Sequence, residues 1–262
     1  MNRTWQVSDI ELVAEWETLK EGSLPKPLTY MSRTPLLTDH LREKADALAS
    51  VRQRLGEELR VLLATLADAD IRIVVRGRDG RDPDNPAGSI RMLGSRKGSF
   101  ACVVRQLPGE TTRHSAGFTI TECGVIELAA TVVGALPAAP AGRQSDVVLV
   151  DEDDGMDRLA RRSQVRWSLE DEDSAETRRS DWFRGAPANS AGTIEIVQGR
   201  SRFGPRGTVR YSLGWRDLVG DGRYLTTSGT PPVATAVDAE RMTIMINRVI
   251  AEVVRSIKDE WA

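Results

Sequence analysis

The chain has 262 residues, with 36 basic and 38 acidic side chains and a formal net charge of −2. This length suits one large domain or two small ones, and 40% apolar with 28% charged residues is typical of a folded globular protein. The near balance of charge gives no overall electrostatic reason to bind nucleic acid or an anionic membrane. Composition therefore excludes a chain that is disordered throughout.

Cysteine and histidine are both scarce. Cys102, Cys123, His40 and His114 are too few for a disulfide framework and too unevenly spaced for a structural zinc site. We expect no metal and no cofactor. The N-terminus lacks the apolar core of a signal peptide, and the longest apolar stretch, 125–141, is interrupted by a glutamate and two prolines. These features predict a cytoplasmic protein without a membrane span.

The first predicted element is a helix that begins after residue 8. Ser8 and Glu11 have the spacing of a capping box, and Val7 and Leu12 that of a hydrophobic staple. A short segment at 28–31 has the composition of a strand. Together these residues predict one helix and a short strand.

The next region is helical in pattern, with leucines at helical spacing from 36 to 67. Gly56 is expected to divide it, because glycine inside a helix costs about 1 kcal/mol relative to alanine. The pattern then changes to short apolar runs with a hairpin signal at Gly94–Gly98. We predict strands at 71–75, 89–93, 99–106 and 117–122, and a buried helix at 125–136.

A linker and a charge-dense segment follow. Residues 136–145 have the composition of a linker, and residues 151–184 contain 11 acidic and 7 basic side chains. Acidic clusters in this segment could mimic a cation site. We interpret the segment instead as a solvated, partly mobile insertion.

The last third returns to strands and ends in a helix. Strands are predicted at 193–198, 208–214 and 223–227. Val233–Ala236 leads into a long amphipathic helix, for which Thr235 and Asp238 have the spacing of a capping box.

The two halves of the chain are built alike, since each has short strands in hairpins followed by a closing helix. Hairpins imply antiparallel pairing, so we predict an α+β fold with one central antiparallel sheet flanked by helical bundles. The halves would be related by quasi-two-fold symmetry within a single domain, 1–262. Its parts would be an N-terminal half, 1–137, a linker with the charged insertion, 138–191, and a C-terminal half, 192–262.

No motif of a known catalytic class is present. The sequence lacks a nucleophile elbow, a phosphate loop, a zinc-protease helix and a dinucleotide fingerprint. Asp217 and Asp221 could form the carboxylate pair of a hydrolase. However, Asp221-Gly222 between two apolar runs primarily indicates a hairpin turn. We therefore expect no enzymatic activity.

Arginines on the predicted hairpins leave a second function open. They could form a basic stripe for nucleic acid, although no aromatic pattern of an RNA-binding sheet accompanies them. The chain would then be a nucleic-acid-binding regulator. These arginines are Arg91, Arg96, Arg105, Arg200, Arg202, Arg206 and Arg210.

The C-terminal third carries a more specific pattern. Residues 209–225 read VRYSLGWRDLVGDGRYL and are followed by a small-residue loop and the amphipathic helix. The chain opens with Trp5-x-Val7-Ser8-x-x-Glu11-Leu12, a proline break and a helix pair rich in leucine and arginine. In this order the motifs resemble the EspG family, the cytosolic chaperones of actinobacterial type VII (ESX) secretion. The resemblance is weakest from 138 to 191, where the charged insertion departs from the family pattern.

The resemblance implies a binding function. A member of the family would hold a PE–PPE heterodimer soluble before export by covering the apolar tip of the PPE helical bundle, using the central sheet and the C-terminal half. It implies neither nucleic acid nor membrane as partner, and an exposed apolar face could support a weak homodimer without the partner. The expected contact residues are Arg202, Phe203, Arg206, Tyr211, Leu213, Trp215, Asp217 and Tyr224, chosen because aromatics and arginines dominate binding hot spots.

Overall fold

The computed structural model describes residues 3–20, 22–150 and 170–261. Within them lie ten strands and six α-helices. The strands are β1 (Thr4–Val7), β2 (Ile71–Asp79), β3 (Ile90–Lys97), β4 (Phe100–Pro108), β5 (Ser115–Cys123), β6 (Val147–Val148), β7 (Ala188–Gln198), β8 (Arg210–Leu218), β9 (Arg223–Thr227) and β10 (Val233–Ala236). The helices are α1 (Asp9–Leu19), α2 (Leu37–Leu55), α3 (Glu57–Ala67), α4 (Leu128–Gly134), α5 (Glu170–Gly185) and α6 (Ala239–Trp261).

All ten strands form one sheet in the order β1-β5-β4-β3-β2-β7-β8-β9-β10-β6, and every neighbouring pair is antiparallel. The predicted α+β class and central antiparallel sheet are therefore confirmed. β2 and β7 pair in the middle, from Ile71 opposite Gln198 to Asp79 opposite Ser190. From this pair outward, one side of the sheet runs β2-β3-β4-β5 and ends in β1, and the other runs β7-β8-β9-β10 and ends in β6. Each side is therefore a four-strand meander followed by the strand that precedes that meander in sequence.

The start of α1 follows the capping signal in the sequence. The Glu11 amide donates to the Ser8 hydroxyl at 3.2 Å, and the Ser8 amide donates to the Glu11 carboxylate at 2.8 Å. Val7 and Leu12 are both buried in one cluster. Farther along, Gly56 separates α2 from α3 with φ of +57°, so the predicted division of that helical region is also confirmed.

Two short predictions in the first half were wrong. Residues 28–31 form no strand, because the Thr29 amide donates to the side chain of Gln106 at 2.8 Å instead of joining a ladder. The hairpin turn is shorter than Gly94–Gly98. Gly94 pairs with Ile73 and Val103 inside the sheet, and only residues 98 and 99 turn between β3 and β4.

Two predictions in the second half also need correction. The charged segment is not solvated throughout, because residues 170–185 form α5, in which Ser180 and Phe183 are buried. Residues 151–169 lie outside the described residues. The last helix is capped by Asp238, whose carboxylate accepts from the Arg241 amide at 2.8 Å. Thr235 lies in β10 instead.

One face of the sheet, here called the closed face, is covered from both halves. It carries the apolar side chains of β2 and β7, and α4 and α6 pack across it. The helix residues in this cluster include Leu128, Val132, Met242, Ile246, Ile250 and Val253. Burial of this extended apolar surface provides the main force that joins the two halves.

The opposite face, here called the open face, is covered only at its two sides. α1–α3 pack over β3, β4 and β5 through a separate core that includes Leu63 and Phe118. On the other side α5 packs on β6 and, through Phe183, on Tyr224 of β9. Between these layers the described residues place no helix over β7 and β8. None of the described helices is long and apolar enough to cross a membrane.

The junction of β2, β7 and β8 requires glycine. A Cβ atom at Gly192 would lie 2.1 Å from the Arg76 carbonyl oxygen and 2.3 Å from a ring carbon of Trp215. We predict that Gly192→Ala lowers the free energy of unfolding by about 1–3 kcal/mol, because the buried ring and the central strands would have to move. Urea denaturation would measure the change.

Gly134→Ala is the matched control, since nothing lies within 4 Å of a Cβ at that helical position. It should leave stability unchanged or raise it slightly. Equal stability of the Gly192→Ala and wild-type proteins would contradict this account of the junction.

Candidate binding groove

A groove of about 1080 Å³ lies on the open face, in the gap between the two helical layers. Its floor consists of side chains of β7, β8 and β9. Along each of these strands they alternate with the side chains that are buried on the closed face. Most floor side chains are small. The floor residues are Ala191, Thr193, Ser212, Gly214 and Thr226.

The dimensions of the floor fit the end of a helix. Neighbouring strands are about 4.8 Å apart, so the three floor strands β7, β8 and β9 span roughly 10 Å, and roughly 14 Å together with β2 beside them. A helix with its side chains is about 10–12 Å across. Small floor side chains would let large apolar side chains of a partner approach the sheet closely.

One wall is the end of α5, which Arg216 anchors to the sheet. The Arg216 guanidinium donates to the backbone carbonyls of Phe183, Arg184 and Ala186, the last at 2.5 Å. It also lies 5.3 Å from the centre of the Phe183 ring. Burial lowers the pKa of Arg216. A cation at these carbonyls satisfies the C-terminal end of the helix and complements its dipole.

The other wall is formed by β2 and is basic. Arg76 pairs with Glu195 at 3.0 Å, and Glu195 also pairs with Arg210 at 2.9 Å. Arg78 is exposed at the end of the same strand. Beyond these arginines a second depression of about 440 Å³ continues toward residues 26–29, and Arg76 and Arg78 line both spaces.

Four of the eight expected contact residues are buried: Leu213, Trp215, Asp217 and Tyr224. Trp215 is only 1% exposed, and its ring lies over Gly77 and Gly192 within the closed-face core. Side chains so buried support the sheet and offer no direct contact to a partner in this conformation.

Asp217 and Asp221 have structural partners, which bears on the hydrolase hypothesis. Arg223 donates to both carboxylate oxygens of Asp217, at 2.7 and 2.8 Å, and to the Pro137 carbonyl at 2.7 Å. Asp221 accepts from the Tyr224 hydroxyl at 2.7 Å and from the Arg143 amide at 2.6 Å. The turn between β8 and β9 spans residues 219–222, so the hairpin interpretation is confirmed. These bonds attach the linker to the C-terminal half.

The other four expected residues lie away from the groove. Arg202, Phe203 and Arg206 lie in the loop between β7 and β8, where Phe203 is 70% exposed. Arg202 donates to the Glu260 carbonyl at 2.6 Å, which attaches this loop to the end of α6. Tyr211 is half-buried and packs against the closed-face core. The structure therefore brings three of them together at one end of the sheet, outside the groove.

Apart from Trp215, which is almost fully buried, sequence reasoning missed the residues that line the groove. It selected the apolar side chains of β8, whereas the accessible face carries the intervening Ser212, Gly214 and Arg216. The period-2 alternation of this strand was the available signal, since the small residues between buried apolar ones must face outward.

The arginines considered for nucleic acid do not form one stripe. Arg91 lies opposite Arg76 on the open face, while Arg105 lies opposite the closed-face residue Met92. Others are paired with carboxylates, as Arg200 is with Asp68. Among the described residues no group of three or more His, Cys, Asp or Glu side chains could hold a metal ion.

Substitution of Arg216 tests whether this residue holds the end of α5 against the sheet. We predict that Arg216→Leu lowers the free energy of unfolding by about 2–3 kcal/mol and speeds amide exchange in residues 175–186, because three helix-end carbonyls lose their charged donor. Arg210→Leu is the matched control on the same strand and face, where loss of an exposed ion pair should cost less than about 1 kcal/mol. Equal effects of both changes would contradict the anchoring role.

The environment of Tyr224 can be tested through the pH dependence of the free energy of unfolding. Burial and the hydrogen bond to Asp221 raise the pKa of Tyr224 from the ordinary 10.0 to about 12. The folded protein therefore keeps the phenol proton at pH values where the unfolded chain has released it. This contribution to stability is present below about pH 10 and is lost between about pH 10 and 12. Tyr224→Phe should make the fall of stability with pH in that interval shallower. An unchanged slope in alkaline denaturation would contradict the assignment.

Comparison with known proteins places the fold. A search of curated proteins finds no match. Among solved structures, the Mycobacterium tuberculosis type VII secretion system chaperone EspG5, in complex with the PE25-PPE41 dimer, is similar over 93% of this chain and 94% of that chain. The TM-score is 0.56 at 12% sequence identity, so the likeness shows a shared fold. The model of the EspG family matches residues 9–248, which include every strand after β1 and therefore the whole groove floor. The chain belongs to the EspG family.

Proposed function

We propose that this protein is a type VII secretion chaperone that binds a PE–PPE heterodimer and keeps it soluble before export. The observation that carries the proposal is the groove on the open face, an uncovered stretch of sheet between two helical layers in a chain of the EspG family. Support comes from EspG5, which shares the fold and was solved in complex with the PE25-PPE41 dimer. The family resemblance also supports action in the cytosol.

The shape of the groove suits the tip of a helical bundle. An isolated apolar tip exposes surface that favours aggregation, and a flat floor with two walls would remove that surface from water. The floor contributes small side chains, while Phe183 and Leu149, both largely buried, line the α5 side from the core behind it. Shape complementarity of this kind can exclude water from the interface of a complex that still dissociates.

We infer further that residues 1–262 act as one domain with quasi-two-fold symmetry. The order of strands is the same on both sides of the β2–β7 pair, and antiparallel strands at the centre are compatible with a two-fold axis between them. The helices differ, since α1–α3 cover the open face of one half and α5 that of the other. That difference leaves a groove in the C-terminal half.

Co-expression with candidate PE–PPE pairs from the same genome tests the function. We expect one pair to co-purify with the protein as a 1:1:1 complex in size-exclusion chromatography. Thr193→Trp should abolish or strongly weaken the complex, because Thr193 is an exposed floor residue and an indole there would fill the groove.

Thr4→Trp is the matched control, an exposed threonine on the edge strand β1 outside the groove. It should leave the complex intact. Failure of every PE–PPE pair to bind would contradict the proposed function. A complex that tolerates Thr193→Trp would place the interface elsewhere.

A further inference from the structure

The charge of the groove is one-sided. Among the residues that the structure describes, its lining contains arginines and no carboxylate. The arginines are Arg76, Arg78, Arg184 and Arg216. Arg216 has a structural role in anchoring α5, whereas a purely apolar partner gives no reason for Arg76 and Arg78 on the other wall, so their positive charge is informative about what binds there.

The nearest floor-face carboxylate does not neutralise this charge. Glu195 pairs through one oxygen with Arg76 and through the other with Arg210, so one negative charge is shared between two arginines. Arg216 directs its donors to backbone carbonyls, which carry no net charge. Among the described residues the basic wall therefore keeps excess positive charge, because Arg76 shares one carboxylate with Arg210 and Arg78 pairs with none of them.

The basic wall contains an unfavourable pair. Arg76 and Arg91 lie directly opposite each other on β2 and β3, and like charges in that position are destabilising. Arg91 donates to the Thr29 hydroxyl, and burial together with Arg76 lowers its pKa. Arg78 has no ion pair with any described residue. In the described part of the chain, Asp84 is the one exposed carboxylate that lines the adjoining depression.

We propose that the groove selects a partner whose apolar helical tip is flanked by acidic side chains, with Arg78 and Arg91 as the pairing cations. This inference rests on the proposed function and specifies the chemistry of the PE–PPE tip that the protein accepts. An acidic flank would relieve the repulsion between Arg76 and Arg91, whereas a basic flank would add to it. The groove would thus discriminate between tips of similar shape by charge.

Two designed helical hairpins provide the probe. They share one apolar tip of leucine and phenylalanine and differ only at four flanking positions, which are glutamate in one and lysine in the other. Fluorescence anisotropy measures binding of each hairpin to the full-length protein at 50 and 500 mM NaCl. We expect the glutamate hairpin to bind at least about tenfold more tightly at 50 mM, with a smaller preference at 500 mM because salt screens the charges.

Arg78→Glu should reduce the preference at least about threefold. Arg248→Glu is the matched control, because Arg248 is an exposed arginine of α6 on the other side of the sheet. It should leave the preference unchanged. Circular dichroism confirms that both variants fold.

Equal binding of the two hairpins, tighter binding of the lysine hairpin, or no binding of either would overturn the inference. An equal loss of preference in Arg248→Glu and Arg78→Glu would also overturn it, since the effect would then be one of net charge. The proposed function is judged separately by the PE–PPE complex. A complex that forms while the hairpins show no charge preference would leave the function standing and this inference wrong.

Discussion

The antiparallel pairing of β2 with β7 is the interaction on which the rest of the structure depends. It joins nine opposed residue pairs at the centre of the sheet and makes one core out of two halves. The closed face then extends across this junction, where Trp215 packs over Gly77 and Gly192. The helix α6 also crosses the β2–β7 junction, since it contacts both β7 and β2. Without the pairing of these strands, neither half would present a continuous closed face.

The consequence for binding follows from alternation along the strands. The residues of β7 and β8 that alternate with those of the closed-face core point to the open face, and the ones that line the groove are small or basic. A helical layer covers such positions in the N-terminal half. In the C-terminal half α5 is held to one side by Arg216, so the sheet between the layers stays accessible. The same strands therefore supply stability on one face and a binding surface on the other.

Local structure could be predicted from the sequence more completely than the binding groove. The capping box of Ser8 and Glu11, the division at Gly56 and the turn before Arg223 follow from short-range rules, and the antiparallel sheet follows from hairpin signals. The structure of residues 28–31 depends on Gln106, which is remote in sequence. The groove depends on which strands become neighbours and where α5 packs. Residue type alone favoured Trp215 and Tyr224, yet burial removes them from the surface.

The central claim is that the open-face groove contacts the PE–PPE partner. A photo-crosslinking residue in place of Ser212, at the floor, tests it most directly, with the same residue in place of Arg248 as the comparison. The account predicts a covalent adduct between PPE and the chain labelled at position 212, and none from position 248. Crosslinking from position 248 with none from position 212, in a complex that still forms, would contradict the claim.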